Sequence, residues 1–391
     1  MNTEAVEIKQ HTPNRNRIRL AVSLFYFGQG ICFASWASRI PDIKHTLNLS
    51  DAMLGSILLA LPLGQLVTMP LSGRLVTRYG SKKMLTAAVP FYSLALTNFG
   101  IAQAGWQLAM FLFLWGVIGN ICNISLNTQG VVAEQVYEKP IMSSFHGAWS
   151  LGGFCGALLG LVFINVGLVP YTHFWVITAV LWLNIMLNYK FLAVGSKPAV
   201  AEKKGKGLNK PDKVLIQLGI IGFCSMATEG AMFDWSGIYF KDIVKAPTAY
   251  VVLGYASFMI MMATGRFLGD KMITKFGRKR WLQFSGAMIS AGMFLSVSLP
   301  YLIPATIGFM MVGMGVSGVV PMVYTIAGNN KKVAPGMALA MVSGVSYFGF
   351  LLGPPLIGYI SALANLRYSY AIIGCFGILI AMLVTKIKAI K

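Results

Sequence analysis

Read from its amino terminus, the chain alternates long apolar runs with short polar, mostly basic interruptions. A helix needs about 20 largely apolar residues to cross the hydrocarbon core of a bilayer. Runs of that length predict spans over 18–38, 51–75, 84–103, 107–132, 144–167 and 173–193. A second set follows over 214–239, 249–271, 281–300, 304–328, 336–361 and 369–386. Between the sets, Lys197, Lys203, Lys204, Lys206 and Lys210 stand among Gly, Pro and Ala. The pattern predicts an all-α membrane protein of twelve transmembrane helices, with a six-helix bundle over 1–193, a solvated cytoplasmic linker over 194–213 and a second six-helix bundle over 214–391. Met1 to Arg19 is polar and basic and shows no cleavage-site pattern, so the run from Leu20 reads as a retained first span.

The two sets are related. Leu75-Val76-Thr77-Arg78-Tyr79-Gly80-Ser81-Lys82-Lys83 matches Met272-Ile273-Thr274-Lys275-Phe276-Gly277-Arg278-Lys279-Arg280 at an offset of 197 residues, agreeing in chemical type at every position except Ser81 against Arg278. Parallel repeats related by an axis along the membrane normal are one of the few transporter architectures. The repeat therefore predicts two pseudo-symmetric halves.

Composition agrees with a bilayer as the main solvent: 56% of the 391 residues are apolar and 11% charged, the latter about half the share usual in soluble domains. The net charge of +20 raises the question of nucleic acid, but the basic residues lie in short runs between apolar segments, which is a topological placement. With the amino terminus inside, the cytoplasmic ends and loops collect 26 of the 32 Lys and Arg, five (Arg39, Lys44, Lys241, Lys245, Arg367) fall in outer loops, and Arg266 is left within a span. The positive-inside rule then predicts a multi-pass protein of a bacterial inner membrane with both termini cytoplasmic. The five cysteines sit inside apolar segments without metal-ligand spacing, and the four histidines are dispersed, so neither a metal site nor an enzyme's nucleophile–base pair is predicted.

The segment Gly73 to Lys83 resembles the loop 2–3 signature of the major facilitator superfamily, with Thr77 where that signature carries an acidic residue. Further segments resemble the rhizopine-permease-like branch, which is distantly similar to fucose–proton symporters: Ala34-Ser35-Trp36-Ala37-Ser38-Arg39-Ile40-Pro41, Ser143-Ser144-Phe145-His146-Gly147, Glu229 to Trp235, and Gly353-Pro354-Pro355-Leu356-Ile357-Gly358. Ala37 and Asn123 stand where fucose permeases carry acidic residues, so that proton site does not transfer. The resemblance implies a transporter with a cytoplasmic gate and loop motif at Gly73, Arg78, Gly80, Lys82, Lys83, Lys275, Gly277 and Arg278. Gly156 is followed by Ala157, without the proline of the exporters' fifth-span signature.

An ionisable residue inside a span costs about 2.5–3.5 kcal/mol on insertion scales and is a functional candidate by default. Glu229, in the seventh span, is the first proton-coupling candidate, its alternative being a hydrogen-bonded carboxyl that fixes a bend at Gly230. Asp234 reads as a second candidate or as a solvated cap, and His146 as a proton relay or an interhelical hydrogen bonder. Arg266 and Asp270, one turn apart, read as an ion pair closing the cytoplasmic gate, with substrate binding as the alternative for Arg266. Asn120, Asn123 and Asn127 fall on one helix face and either line a cavity or join helices. Gln29 and Gln65 are amide candidates of the same kind, and Trp149, Tyr255 and Tyr347 could stack on a ring. Trp36 and Trp235, near span ends, read as interfacial anchors.

These residues predict alternating-access transport of a small polar, sugar- or polyol-like solute coupled to protons, by a monomer bathed in lipid and needing no cofactor. Proton-driven export of amphiphilic compounds is the alternative.

Overall fold

The computed structural model describes residues 14–138, 141–193, 213–328 and 335–387, and all its regular elements are helices. The first half comprises α1 (Arg15–Thr46), α2 (Asp51–Leu58), α3 (Ala60–Tyr79), α4 (Ser81–Thr97), α5 (Gly105–Tyr137), α6 (Met142–Asn165) and α7 (Pro170–Asn188). The second comprises α8 (Lys213–Ile238), α9 (Leu253–Phe276), α10 (Arg278–Ser298), α11 (Leu302–Val316), α12 (Val319–Gly328), α13 (Pro335–Leu363) and α14 (Leu366–Lys386). Eleven spans are long and apolar enough to cross a membrane. The twelfth is α10, 21 residues opened by Arg278, Lys279 and Arg280. The proposed linker over 194–213 lies outside the described residues except for Lys213.

Two crossings are broken, and for the same reason. A proline inside a helix lacks a donor, and its ring collides with the carbonyl four residues earlier. Pro62 sets that collision at Leu58, and the helix turns at Leu59 between α2 and α3. Pro321 sets it at Ser317, and the turn at Ser317–Gly318 separates α11 from α12. The repeat is visible in the backbone too. Gly80 and Gly277 end α3 and α9 in matching conformations (φ 85°, ψ 145° and φ 80°, ψ 158°) that a side chain would strain.

Each half packs internally, α1 on α6 and α3 on α5 in the first, α8 on α13 and α10 on α11 and α14 in the second. Among the described residues the halves meet chiefly along α2 on α13, α6 on α9, and α1 on α8. No such seam joins α5 to α12 or α13 among the described residues. Among the described residues the halves are thus less closely tied at the end where α1 and α8 begin, called here the basic end.

The opposite end is closed. Lys44 of α1 pairs with Asp51 at 2.6 Å in its own half and with Asp242 at 3.3 Å in the other. Asp51 also accepts from the Ser361 hydroxyl on α13, and the Ser56 and Tyr359 hydroxyls meet at 2.9 Å. A Cβ on Gly55 would come within 3.1 Å of the Gly358 Cα, so glycine is what lets α2 and α13 touch.

Arg39 and Lys44 are not loop residues as expected: α1 continues to Thr46 and carries both. Arg39 is buried, donating to His173 Nδ1 at 3.1 Å, Asp42 at 2.9 Å and the Leu168 carbonyl at 2.7 Å. Trp36 and Trp235 are fully buried rather than interfacial. Both lie deeper than their apolar runs indicate, because α1 continues to Thr46 and the helical path of α8 continues to Ile243.

Candidate functional site

A continuous polar belt crosses the space between the halves, several turns from either end. It begins on α8 with Glu229, whose Oε1 accepts from Arg266 Nη2 of α9 at 3.0 Å. Arg266 reaches into the other half, donating from Nη1 to Ser150 Oγ of α6 at 2.7 Å and to the His146 carbonyl at 3.5 Å. Its guanidinium stands over the Trp149 ring, 5.9 Å from the centroid. The His146 ring lies edge-on to Tyr26 of α1 at 5.4 Å. Tyr26 donates to Asn127 Oδ1 of α5 at 2.7 Å, and Asn127 Nδ2 donates to Asn123 Oδ1 at 2.7 Å.

The side chains of Glu229 and Arg266 are 14% and 15% exposed, so the pair borders the cleft instead of lying sealed in a bundle. Asn123 is exposed in the middle of a 33-residue helix, with its neighbour Asn127 tied inward to α1. On the other side of the cleft the Tyr347 hydroxyl of α13 donates to the Pro62 carbonyl at 3.0 Å and meets Gln65 Oε1 at 3.1 Å.

An aromatic layer lies one to two turns nearer the closed end. Phe33 meets Phe233 at 5.3 Å and Trp149 at 6.0 Å, and Phe233 meets Trp149 at 5.6 Å and Phe350 at 6.2 Å. Four helices, two from each half, thus meet in rings above the polar belt. Edge-to-face rings at these separations pack firmly yet can slide apart without breaking hydrogen bonds.

The predicted residues divide accordingly. Glu229, Arg266, His146, Trp149, Asn123 and Asn127 come together, and Gln65 and Tyr347 form the adjoining wall. Tyr255 is buried beside Phe233, its hydroxyl without a partner. Asn120 is buried, its Oδ1 also unpartnered, and stands outside the Asn127–Asn123 chain. Gln29 lines a small pocket within the first bundle, with Tyr92, Cys122 and Asn184. Asp234 is half-buried and forms no ion pair among the described residues. The Asp270 side chain lies outside the described residues, so the structure pairs Arg266 with Glu229 without testing the Asp270 pairing.

The loop motif stays at the basic end, away from the belt. Lys82 Nζ donates to the carbonyls of Lys190 (3.1 Å) and Leu192 (2.9 Å) just past α7, which fixes the end of that helix in its own half. Arg78 stands over Tyr79 and Lys275 over Phe276, Lys83 and Arg278 are exposed, and Gly73 faces open space. Tyr26, Ser150, Phe33 and Phe233 contribute without a signal in the sequence. Residues of these types are common inside apolar spans, and nothing in their spacing marks them.

The Major Facilitator Superfamily profile matches residues 20–334. An uncharacterized MFS-type transporter of Yersinia pestis is 30% identical over 375 residues, covering 95% of each chain. The nucleoside transporter NupG superposes with a TM-score of 0.76 at 12% identity, over 94% of this chain and 99% of that one. A D-xylose–proton symporter superposes with a TM-score of 0.72 at 19% identity, over 95% and 97%. At such identities the structural likeness speaks for the fold alone. A twelve-span fold of two bundles around a polar cleft defines a secondary-transporter architecture. The chain belongs to the Major Facilitator Superfamily and is a multi-pass membrane transporter.

Proposed function

We propose that the protein moves a small polar, hydroxyl-bearing solute across the bacterial inner membrane by alternating access, driven by protons taken up at Glu229. The observation that carries this reading is the Glu229–Arg266 pair, which borders the cleft within the spans and reaches both halves through Ser150. A charge in that environment is retained only where it has a partner or a task. Protonating Glu229 removes a counter-charge of Arg266, and that in turn alters the tie to α6. Amides and hydroxyls beside the pair both donate and accept, which suits a solute rich in hydroxyls.

The excess of Lys and Arg at the basic end supports placing that end, with both termini, in the cytoplasm. The conformation described is then open to the cytoplasm and closed outside.

The test starts with a thermal-shift screen of sugars, polyols, amino acids and common drugs, since a ligand raises apparent stability by mass action. Uptake of the best hit into proteoliposomes is then measured with and without an inwardly directed pH gradient. Accumulation should follow the gradient in the wild type, and Glu229→Gln should lose that dependence while still exchanging solute down its own gradient. Full gradient-driven accumulation by Glu229→Gln would remove Glu229 from the account. The aromatic layer favours export of amphiphilic compounds instead. Stabilisation by hydrophobic dyes, with none by polyols or sugars, would move the reading there.

A further inference from the structure

We propose that Asn123 is a specificity-determining residue that donates its amide N–H to an acceptor oxygen of the solute, and that Tyr26 fixes this polarity. The group presented to α5 is then a carbonyl, an ether oxygen or a hydroxyl used as acceptor. The inference rests on the reading of a hydroxyl-bearing cargo above and adds the direction in which its hydrogen bonds run.

An amide by itself has no preferred direction. Its oxygen accepts, its nitrogen donates, and a half-turn about the last bond exchanges the two. The phenol at the buried end of the chain removes that freedom. Tyr26 is 2% exposed, and its single proton has Asn127 Oδ1 at 2.7 Å and the Met142 sulfur at 4.0 Å within reach. A thioether accepts only weakly. Turning the Asn127 amide round would make the phenol an acceptor and leave its proton to sulfur alone. A buried donor without an adequate partner costs more than an ordinary hydrogen bond gains. Tyr26 therefore donates, and the polarity passes along the chain.

Asn127 Nδ2 donates in turn to Asn123 Oδ1 at 2.7 Å. Asn123 is exposed, and its Nδ2 has no partner among the described residues. An amide donor turned to lipid would stay unsatisfied. Asn123 shares its face of α5 with Asn127, which points at α1, so the unused N–H bonds belong to the cleft. The hydroxyls of the belt do not compete for the task. Tyr26 spends its proton on Asn127, and Ser150 gives its own to the His146 carbonyl at 3.2 Å while accepting from Arg266.

Such a subsite sorts solute groups by hydrogen-bonding type. A hydroxyl satisfies it by accepting, and so does an ether oxygen or a fluorine, which can only accept. A hydrogen atom, which does neither, leaves the amide unpartnered, and so does an ammonium group, which only donates.

The experiment follows thermal unfolding of the purified full chain with D-glucose and D-xylose, and with each sugar deoxygenated or fluorinated at one ring hydroxyl at a time. In the wild type, deoxygenation at one position should raise the half-saturating concentration about fivefold, the worth of one lost hydrogen bond. Fluorination at that same position should raise it markedly less. Asn123→Asp keeps an acceptor for Asn127 and puts oxygen where Nδ2 stood. There the hydroxyl still binds by donating, and fluorine should become worse than hydrogen. In Tyr26→Phe the Asn127 amide is released, and the advantage of fluorine over hydrogen should shrink. The proposal is overturned if fluorine is no better than hydrogen at every position in the wild type, or if Asn123→Asp keeps the wild-type order. Should Asn123→Asp fail to fold, an Asn123→Ala protein that still prefers fluorine overturns it alone. A Tyr26→Phe protein with the full wild-type preference overturns the part assigned to Tyr26. A wild type that neither sugar stabilises contradicts the sugar-like cargo together with this inference, whereas sugars that bind without the fluorine pattern overturn the inference alone.

Discussion

Tyr26 illustrates how the belt is built at the level of single side chains. Its hydroxyl is buried and gives its proton to Asn127, which fixes the amide so that Nδ2 faces Asn123. Tyr26→Phe keeps the ring contacts with Phe145 and His146 but leaves Asn127 Oδ1 without that donor. Unfolding free energy should fall by about 1 kcal/mol, the usual net worth of a lost hydrogen bond. Solute binding should weaken several-fold, read as a shift in Kd from ligand-dependent melting. An unchanged Kd would mean that Asn127 needs no orienting and does not belong to the binding surface. Part of this was legible beforehand. Glu229 stood out because a carboxylate in an apolar run is costly, and the asparagines because their spacing put them on one face. The pairing of Arg266 with Glu229 was not legible, since Glu229 is brought near only by the packing of α8 on α9. Asn120 has the right helical spacing, yet it turns into the bundle: spacing places a residue on a face without saying what that face meets.

At the scale of elements, closure and opening depend on features of very different chemistry. The Gly55–Gly358 contact is steric and has no tolerance for a side chain, whereas Lys44, shared between Asp51 and Asp242, is electrostatic and can re-form with either partner alone. Gly55→Val should therefore prevent closure at that end more completely than loss of one ion pair does, because a Cβ within 3.1 Å of a backbone atom forces α2 and α13 apart. The readout is maleimide labelling of Ser361→Cys, at a position 7% exposed when that end is closed. Exposed Cys375 is replaced beforehand to remove background. Labelling should be several-fold faster with Gly55→Val than without it. Equal rates would mean that α2 and α13 are not the closing seam. Most span boundaries were legible to within about five residues because hydropathy reports them directly; the end of α1 was not, since that helix continues past its apolar run to Thr46. The breaks at Pro62 and Pro321 were not read, since the runs remain apolar straight through them; only the backbone shows that each is two helices.

For the whole molecule, twelve spans form two halves that meet at one end where α2 packs on α13, stay in contact along α6 and α9, and show no seam between α5 and α12–α13 among the described residues. The nine-residue repeat predicted the two halves, and the matched glycine conformations at Gly80 and Gly277 carry that symmetry into the backbone. How the halves tilt could not be read from the chain, because it depends on contacts between residues some 300 positions apart, such as Asp51 with Ser361. The account's central claim is that the ends open in opposition and that Glu229 links this motion to protons. Pulsed electron–electron distance measurement on two spin-label pairs tests it directly, one pair at Ser56 and Tyr359 of the closed end and the other at Val131 and Thr325 of the basic end. In the wild type the two distances should change in opposite senses as pH is varied, and in Glu229→Gln the populations should no longer respond. Two distances that lengthen together, or a Glu229→Gln response identical to wild type, would contradict the account.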